Sequence, residues 1–202
     1  MSRRLRRVTI SAGHALVRVV RLSHGPAGAL FFGPARGDPP RGRFDASDGS
    51  FRVCYLADTV EAAFAESLLR LAAVPPSPAA PRYLPQTAVQ ARGWAWTSAR
   101  RALSLIDLSD GKGLAALNVT AGLTAANAHA AARVLSAQLH ATLPPSDGLL
   151  YRPRHAPERT AVALWDRAAD ALSAVATLEP LFADRRLLGR LIDAYQITLD
   201  AS

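Results

Sequence analysis

Hydrophobic and polar positions alternate in several short stretches of the chain, a pattern that predicts β-strands. In residues 14–22 the apolar side chains surround one interior charge, Arg18. In residues 51–57 the alternation places Tyr55 on one face of a strand and Cys54 on the other. The same pattern predicts further strands at residues 82–90, 102–108, 148–151, 160–166 and 172–178.

Other stretches repeat their apolar side chains every three or four residues, which predicts helices. The first helix, residues 59–73, follows Asp58, which we expect to be its N-cap in a capping-box pair with Glu61. Glu66 lies off the apolar stripe of this helix, and the simplest interpretation is an i,i+4 ion pair with Arg70. The apolar stripe consists of Val60, Phe64, Leu68 and Leu71.

Two further helices are predicted in the second half of the chain. The longest, residues 124–142, begins at the cap residue Thr124, and we expect Val134, Leu135 and Leu139 to face the core. The last, residues 184–195, has the strongest amphipathic pattern. Short strands and three helices without regular β-α alternation favour an α+β fold. We expect one domain over residues 14–202, preceded by a flexible basic tail at residues 1–13.

Composition and charge narrow the possible functions. The net charge is +8, and four arginines lie within the first seven residues. This charge could attract nucleic acid, or it could reflect a solvated tail and an arginine-rich composition. Because no zinc-finger, helix-turn-helix or RNA-binding motif accompanies the charge, we expect no direct nucleic-acid binding.

The single cysteine, Cys54, rules out an internal disulfide framework and a cysteine-based zinc site, and no ligand cluster predicts any other metal site. No apolar run approaches the roughly 18 residues that span a bilayer, so we expect no membrane segment. Polar residues interrupt the N-terminal region where a secretory signal would be apolar. A cytoplasmic location is therefore the expectation.

The best candidate for a functional site is the segment of residues 42–70, which gathers a cation, a phenol and a carboxylate. Arg43, Tyr55 and Glu66 lie within 24 residues of each other on a predicted loop, strand and helix. A second candidate is the basic turn of residues 152–159, which is either a solvated hairpin loop or a loop that faces an anion. For Arg18, a ligand-facing role and an edge-strand role remain equally open.

Five short motifs in a fixed order resemble the RES domain family, which is named for an arginine, a glutamate and a serine. They are GRFD at residues 42–45, CYLAD at 54–58, AFAES at 63–67, DGLLYRPRH at 147–155 and ALWD at 163–166. The resemblance covers roughly residues 15–195 and includes LVRV near the start and LSLIDLSD in the middle.

The resemblance implies a fold similar to ADP-ribosyltransferases, with a split, bent β-sheet core, flanking helices and a cleft for NAD+. Characterised members of the family are toxins of toxin–antitoxin pairs that cleave NAD+ between nicotinamide and ribose, with water or inorganic phosphate as acceptor. NAD+ is then a substrate, and no true cofactor is expected. The implied partners are an Xre-like helix-turn-helix antitoxin that blocks the cleft and a second copy of the chain in a homodimer. ADP-ribosyl transfer to a protein is the alternative activity.

Matching the motifs residue by residue assigns roles in this chain. Glu66, Arg43 and Tyr55 become the candidate catalytic residues, because a carboxylate can stabilise an oxocarbenium-like ribose and an aromatic ring can stack on the nicotinamide cation. Arginines suit the two phosphates of NAD+. The candidate NAD-binding residues are Arg18, Arg43, Tyr55, Tyr151, Arg152, Arg154 and His155.

One position departs from the family pattern. Where the family turn has a serine, this chain has Pro153, which lacks both the hydroxyl and a backbone N–H. The substitution implies altered substrate choice, weakened activity or replacement by other contacts, and Ser146 cannot be assumed to take the serine's place. A RES-fold protein retained only for binding is therefore a further alternative.

Overall fold

The computed structural model describes residues 5–34, 37–72, 77, 80–125, 129–143 and 145–201, without the side chains of residues 124–125. The strands are β1 (Arg7–Ile10), β2 (Ala15–Arg21), β3 (Val53–Ala57), β4 (Arg82–Pro85), β5 (Arg92–Ser98), β6 (Leu103–Leu108), β7 (Gly148–Tyr151), β8 (Ala161–Trp165), β9 (Glu179–Pro180) and β10 (Ile197–Asp200). The helices are α1 (Gly25–Gly28), α2 (Val60–Leu68), α3 (Gln86–Gln90), α4 (Gly111–Ala116), α5 (Gly122–Ala125), α6 (Ala130–Thr142) and α7 (Arg185–Tyr195). Short 3-10 turns lie at Leu22–His24, Leu69–Leu71 and Asp166–Ala171.

Eight of these strands form one mixed sheet in the order β1-β6-β7-β8-β3-β2-β5-β9. Only β6 and β7 pair in parallel; the other neighbours in this sheet are antiparallel. Strands β10 and β4 form a separate parallel pair. A large central sheet with flanking helices confirms the predicted α+β class. In the described part of the chain, no helix is both long and apolar enough to cross a bilayer.

The centre of the sheet is covered on both faces. In β3, Val53 and Ala57 belong to the larger core cluster, with Tyr55 packed against it, whereas Cys54 and Leu56 belong to the cluster on the opposite face. The alternation predicted for this strand is therefore confirmed. Each large apolar side chain buried in this way contributes about 1.5–3 kcal/mol to folding.

Helix α2 differs from its prediction at both ends. Its N-cap is Thr59, whose hydroxyl accepts a hydrogen bond from Ala62 N at 3.2 Å. Asp58, the predicted cap, instead accepts from the hydroxyl of Thr160 at 2.9 Å and so ties α2 to β8. The helix ends at Leu68, and Leu71, predicted to lie in the core, is exposed. The predicted end at residue 73 lies outside the described residues.

Strand β5 falls between the strands predicted at residues 82–90 and 102–108, where the sequence pattern predicts no element. It nevertheless lies inside the sheet and pairs with β2 over seven residues. Only residues 82–85 of the predicted strand 82–90 are extended, because residues 86–90 form α3. Gly93 looks like a turn signal in the sequence, but its role is close packing. A Cβ at this position would lie 2.8 Å from the carbonyl oxygen of Glu179 in β9.

The predicted long helix of residues 124–142 is described as α5 and α6, and residues 126–128 between them lie outside the described residues, as does the side chain of Thr124. Helix α6 buries Leu135 and Leu139 as expected. Val134, however, was predicted to face the core and is 57% exposed. Helix α7 agrees with its prediction, with Leu187, Leu188 and Leu191 buried.

Two further predictions, for residues 1–13 and residues 172–178, also differ from the structure. Residues 7–10, assigned to a flexible tail, form the edge strand β1. The reason is a specific anchor: the guanidinium of Arg6 lies 3.1 Å from the buried carboxylate of Asp107 at the end of β6. The strand predicted at residues 172–178 is reduced to one bridge, between Leu172 and Ala99, followed by the two-residue β9.

Candidate active site

A cleft with a volume of about 330 Å³ lies where β2, β3, α2 and the end of β7 meet. Seven of the eight predicted site residues line it: Arg18, Arg43, Tyr55, Glu66, Tyr151, Arg154 and His155. The fold thus brings residues 18–66 together with the turn at Tyr151, which follows Glu66 by 85 residues in the chain. The volume is at the lower end of the range of about 300–1,000 Å³ that is typical of small-molecule sites.

Glu66 is partly exposed and has partners on the opposite wall of the cleft. Its Oε2 accepts a hydrogen bond from the hydroxyl of Tyr151 at 3.0 Å, and its Oε1 accepts one from Arg154 N at 3.3 Å. The i,i+4 pair with Arg70, the simplest interpretation of the sequence, is therefore not its main contact. Each carboxylate oxygen retains one lone-pair direction, so Glu66 can still accept hydrogen bonds from a ligand.

Tyr151 is the buried member of this pair. Its side chain is only 1% exposed, and its ring packs edge-on against Phe44 with ring centroids 5.0 Å apart. Burial, together with the negative charge of Glu66, raises the pKa of the Tyr151 phenol well above its usual value. The hydroxyl consequently stays protonated and donates to Glu66 at all physiological pH values.

Tyr55 uses its hydroxyl to hold the segment that carries Arg43. The hydroxyl donates to Asp45 Oδ1 at 2.8 Å and accepts from Phe44 N at 2.9 Å. Burial and the carboxylate of Asp45 raise the pKa of Tyr55 well above its usual value. A Cβ at Gly42 would collide with the Tyr55 hydroxyl, so this approach requires glycine. The phenol is thus fixed, while the side chain of Tyr55 lines the cleft.

The two arginines predicted near the start of the chain both reach the cleft. Arg43 and Arg18 are each 9% exposed. Arg18 also donates to the carbonyl of Phe31 at 2.7 Å and lies over the Phe31 ring at 4.2 Å. Because β2 lies between β3 and β5, the edge-strand interpretation of Arg18 is wrong. Arg18 lines the cleft and also holds the loop that follows β2.

The side chains of the basic turn after β7 have two different roles. Arg154 and His155 line the cleft, and burial, followed by the charge of Arg154, lowers the pKa of His155. Arg152 lies outside the cleft, which corrects its predicted role in NAD+ binding. Its guanidinium donates to the carbonyls of Ser109 at 2.6 Å and Pro157 at 2.7 Å, so it fixes the turn.

Position 153 is separate from the cleft wall as well. Pro153 is buried, and the backbone N–H of its neighbour Arg154 supplies the contact to Glu66. Ser146 precedes β7 at the end of the strand opposite Tyr151, so it does not replace a serine at position 153. The proline therefore leaves the hydrogen-bonded pair of Glu66 and Tyr151 intact.

Sequence patterns missed several residues of the cleft wall, namely Arg41, Ser67, Arg70 and His129. Arg70 could have been found, because it lies one helical turn after Glu66 and faces the same way. His129 had no signal in the sequence, since it precedes α6 and reaches the cleft only through tertiary packing. Burial, followed by the charge of Arg43, lowers its pKa.

The charges of the cleft are strongly unbalanced. Among the described residues that line it, five are arginines and one, Glu66, is acidic. Such a site suits an anion with several oxygen atoms, because guanidinium groups bind phosphates in a bidentate manner. The described residues contain no group of three or more His, Cys, Asp or Glu side chains that could hold a metal ion.

The fold and the cleft define an α+β protein with one cleft lined by five arginines and a single carboxylate among the described residues. Residues 15–185, most of the chain, match the model of the RES domain. The chain belongs to the RES domain family.

A solved structure supports the same fold. The chain is similar to a protein in the crystal structure of the M. tuberculosis MbcT–MbcA toxin–antitoxin complex, with a TM-score of 0.57 and 15% sequence identity. The similarity covers 89% of this chain and 92% of the other. No curated protein sequence matches the chain.

Proposed function

We propose that this protein is a toxin-type enzyme that degrades NAD+ by cleaving the bond between nicotinamide and ribose. The observation that carries the proposal is Glu66, a carboxylate held by Tyr151 and Arg154 in a cleft whose other charged side chains are arginines. Membership in the RES domain family and the likeness to a toxin–antitoxin complex support it.

The charges of NAD+ match those of the cleft. The dinucleotide carries two negative phosphates and one planar pyridinium cation. Arg18, Arg43 and Arg154 line the cleft and are the groups that we propose bind the diphosphate. In the same proposal the pyridinium stacks on the ring of Tyr55. Glu66 is then the one negative group beside the positive end of the substrate.

The reaction breaks the bond between the ribose C1′ and the nicotinamide nitrogen. The bonding electron pair stays on that nitrogen, so nicotinamide leaves as a neutral molecule and positive charge develops on the ribose. The free lone pairs of Glu66 accept hydrogen bonds from the ribose hydroxyls and stabilise this charge. A water molecule then adds to C1′ and releases a proton, or inorganic phosphate adds in its place.

The residues around Glu66 keep its carboxylate in one orientation. Tyr151 donates from a buried position and cannot rotate freely, and the Arg154 N–H belongs to a turn that Arg152 fixes. A pre-organised carboxylate requires little rearrangement when charge appears on the substrate. In this proposal NAD+ is consumed as a substrate, and no resident cofactor takes part.

We further propose that the partner is an Xre-like antitoxin that covers the cleft, and that the toxin is a cytoplasmic homodimer within that complex. The neighbouring structure is itself a toxin–antitoxin complex, which supports an antitoxin partner. A partner that covers the cleft contacts a surface that includes five arginines. We therefore expect it to present acidic groups there.

The test is controlled expression of the chain alone in bacterial cells, with measurement of intracellular NAD+ and growth. The wild type should deplete NAD+ and stop growth, and Glu66→Gln should do neither at equal protein level. Glu61→Gln is the matched control, because it makes the same change on the same helix outside the cleft. Unchanged NAD+ during wild-type expression would refute the proposal.

A further inference from the structure

One face of α6 lies along the segment that carries Arg43, here called the arginine loop (residues 40–45). Arg133 donates from Nε to the carbonyl of Gly42 at 3.0 Å and from Nη2 to the carbonyl of Pro40 at 3.1 Å. One turn further, Ser136 donates to the carbonyl of Phe44 at 2.8 Å. Three alternate carbonyls of the arginine loop are thus bound to one helix.

These contacts complete a set that begins inside the arginine loop. The carboxylate of Asp45 accepts from the N–H groups of Arg41 at 2.9 Å and Gly42 at 2.5 Å. The Tyr55 hydroxyl accepts from the N–H of Phe44. Side chains therefore bind six backbone groups of this short segment, which contains neither helix nor strand.

The two α6 residues are unusual choices for a helix that only packs. Ser136 is fully buried, and its hydroxyl also accepts from Trp165 Nε1 at 3.3 Å. Arg133 is half-buried and directs its guanidinium to two carbonyls. A planar guanidinium can bind two carbonyls in a fixed geometry, which an ammonium group cannot.

From this geometry we propose that Arg133 and Ser136 are positioning residues that hold the arginine loop so that Arg43 stays in the cleft. The proposal rests on the proposed function, because it assigns Arg43 to substrate binding. It predicts that α6 acts on the reaction through the arginine loop, chiefly through Arg43, without touching the substrate.

A double-mutant cycle tests this coupling. Arg133→Met keeps an unbranched apolar stem but removes the guanidinium and its donors. We expect it to lower kcat/KM for NAD+ about tenfold, mainly through KM. In an Arg43→Ala background the same change should lower kcat/KM less than about twofold. Arg133→Lys should fall between the wild type and Arg133→Met.

Two further variants separate positioning from general destabilisation. Arg190→Met makes the same change at an exposed position of α7 and should leave kcat/KM unchanged. Ser136→Ala should raise KM with little effect on kcat. Equal losses from Arg133→Met in both backgrounds, or a folded Arg133→Met enzyme with wild-type kcat/KM, would overturn the proposal.

Hydrogen exchange keeps the inference separate from the proposed function. In Arg133→Met the backbone amides of residues 41–45 should exchange at least about tenfold faster than in the wild type, whereas those of α7 should not change. If the wild type does not consume NAD+, the proposed function fails and the role in catalysis fails with it. Unchanged exchange at residues 41–45 would refute the positioning role itself, whatever the activity.

Discussion

Removing the hydroxyl of Tyr151 changes the environment of Glu66 with little change in shape. In Tyr151→Phe the ring keeps its packing against Phe44. Glu66 Oε2 loses the hydroxyl donor that lies 3.0 Å from it in the wild type. The Arg154 N–H remains as the other protein donor to the carboxylate. The variant therefore tests whether the orientation of Glu66 matters for the reaction.

The expected magnitude follows from the type of bond. A hydrogen bond to a charged group contributes about 1.5–3 kcal/mol, and the lower value applies here because Glu66 is partly exposed and water can replace the donor. If that energy is lost in the transition state, kcat falls about tenfold. The free energy of unfolding should change by about 1 kcal/mol or less, because the buried site loses a polar group and gains no cavity.

The assay is steady-state NAD+ consumption by purified wild type, Tyr151→Phe and Tyr83→Phe, with urea unfolding of each. Tyr83 is the matched control, since it lies in β4 with half of its side chain exposed. We expect a loss of kcat only in Tyr151→Phe. A folded Tyr151→Phe enzyme with kcat within twofold of the wild type would show that this hydrogen bond does not support Glu66 in the reaction.

Three further predictions concern the turn, the core and the response to acid. Pro153→Ser should change NAD+ turnover less than about twofold, because position 153 is buried outside the cleft; a large gain would mean that the family serine acts at the site. Leu149→Ala, at a fully buried position of β7, should lower the free energy of unfolding by about 2–5 kcal/mol in urea titrations, and a loss below 1 kcal/mol would contradict its place in the core. Burial lowers the pKa of four histidines, so the unfolded chain binds more protons than the folded one, and stability should fall as the pH drops below about 6.5; a melting temperature that stays constant from pH 7.5 to 5 would contradict this. These histidines are His24, His129, His140 and His155.

The sequence pattern alone predicted an element correctly where the spacing of its apolar residues matched the faces that the fold buries. Strand β3 is a continuous run of apolar and aromatic residues, as burial on both faces requires. Helix α7 repeats its apolar residues every three or four positions, as burial of one face requires. Strand β5 was missed because Arg92 and Gly93 interrupt the apolar pattern at its start and Thr97 and Ser98 end it, which leaves only a short apolar run between them. The close approach of Leu22 and of the backbone of Glu179, which is far along the chain, explains the glycine.

In the site, too, residues close in sequence did not reveal contacts that are made between distant parts of the chain. Within α2, Glu66 and Arg70 form a plausible surface pair, and nothing local contradicts it. The motif order indicated Glu66 correctly as a cleft residue, but its actual partner, Tyr151, is separated from it by 85 positions. Arg152 was placed in the site because it is adjacent to Tyr151, whereas successive residues of the turn point in different directions.

Proton NMR of NAD+ incubated with the purified chain, with and without inorganic phosphate, is the most direct measurement of the proposed chemistry. The chain should release one free nicotinamide for each NAD+ consumed. The other product should be ADP-ribose when water is the acceptor, or the phosphate ester of ADP-ribose when inorganic phosphate is the acceptor. Glu66→Gln should abolish the release of nicotinamide, whereas Glu61→Gln should not. Intact NAD+ after incubation with the wild type, or release that is equal in Glu66→Gln, would contradict the assignment of the cleft as an NAD-cleaving site.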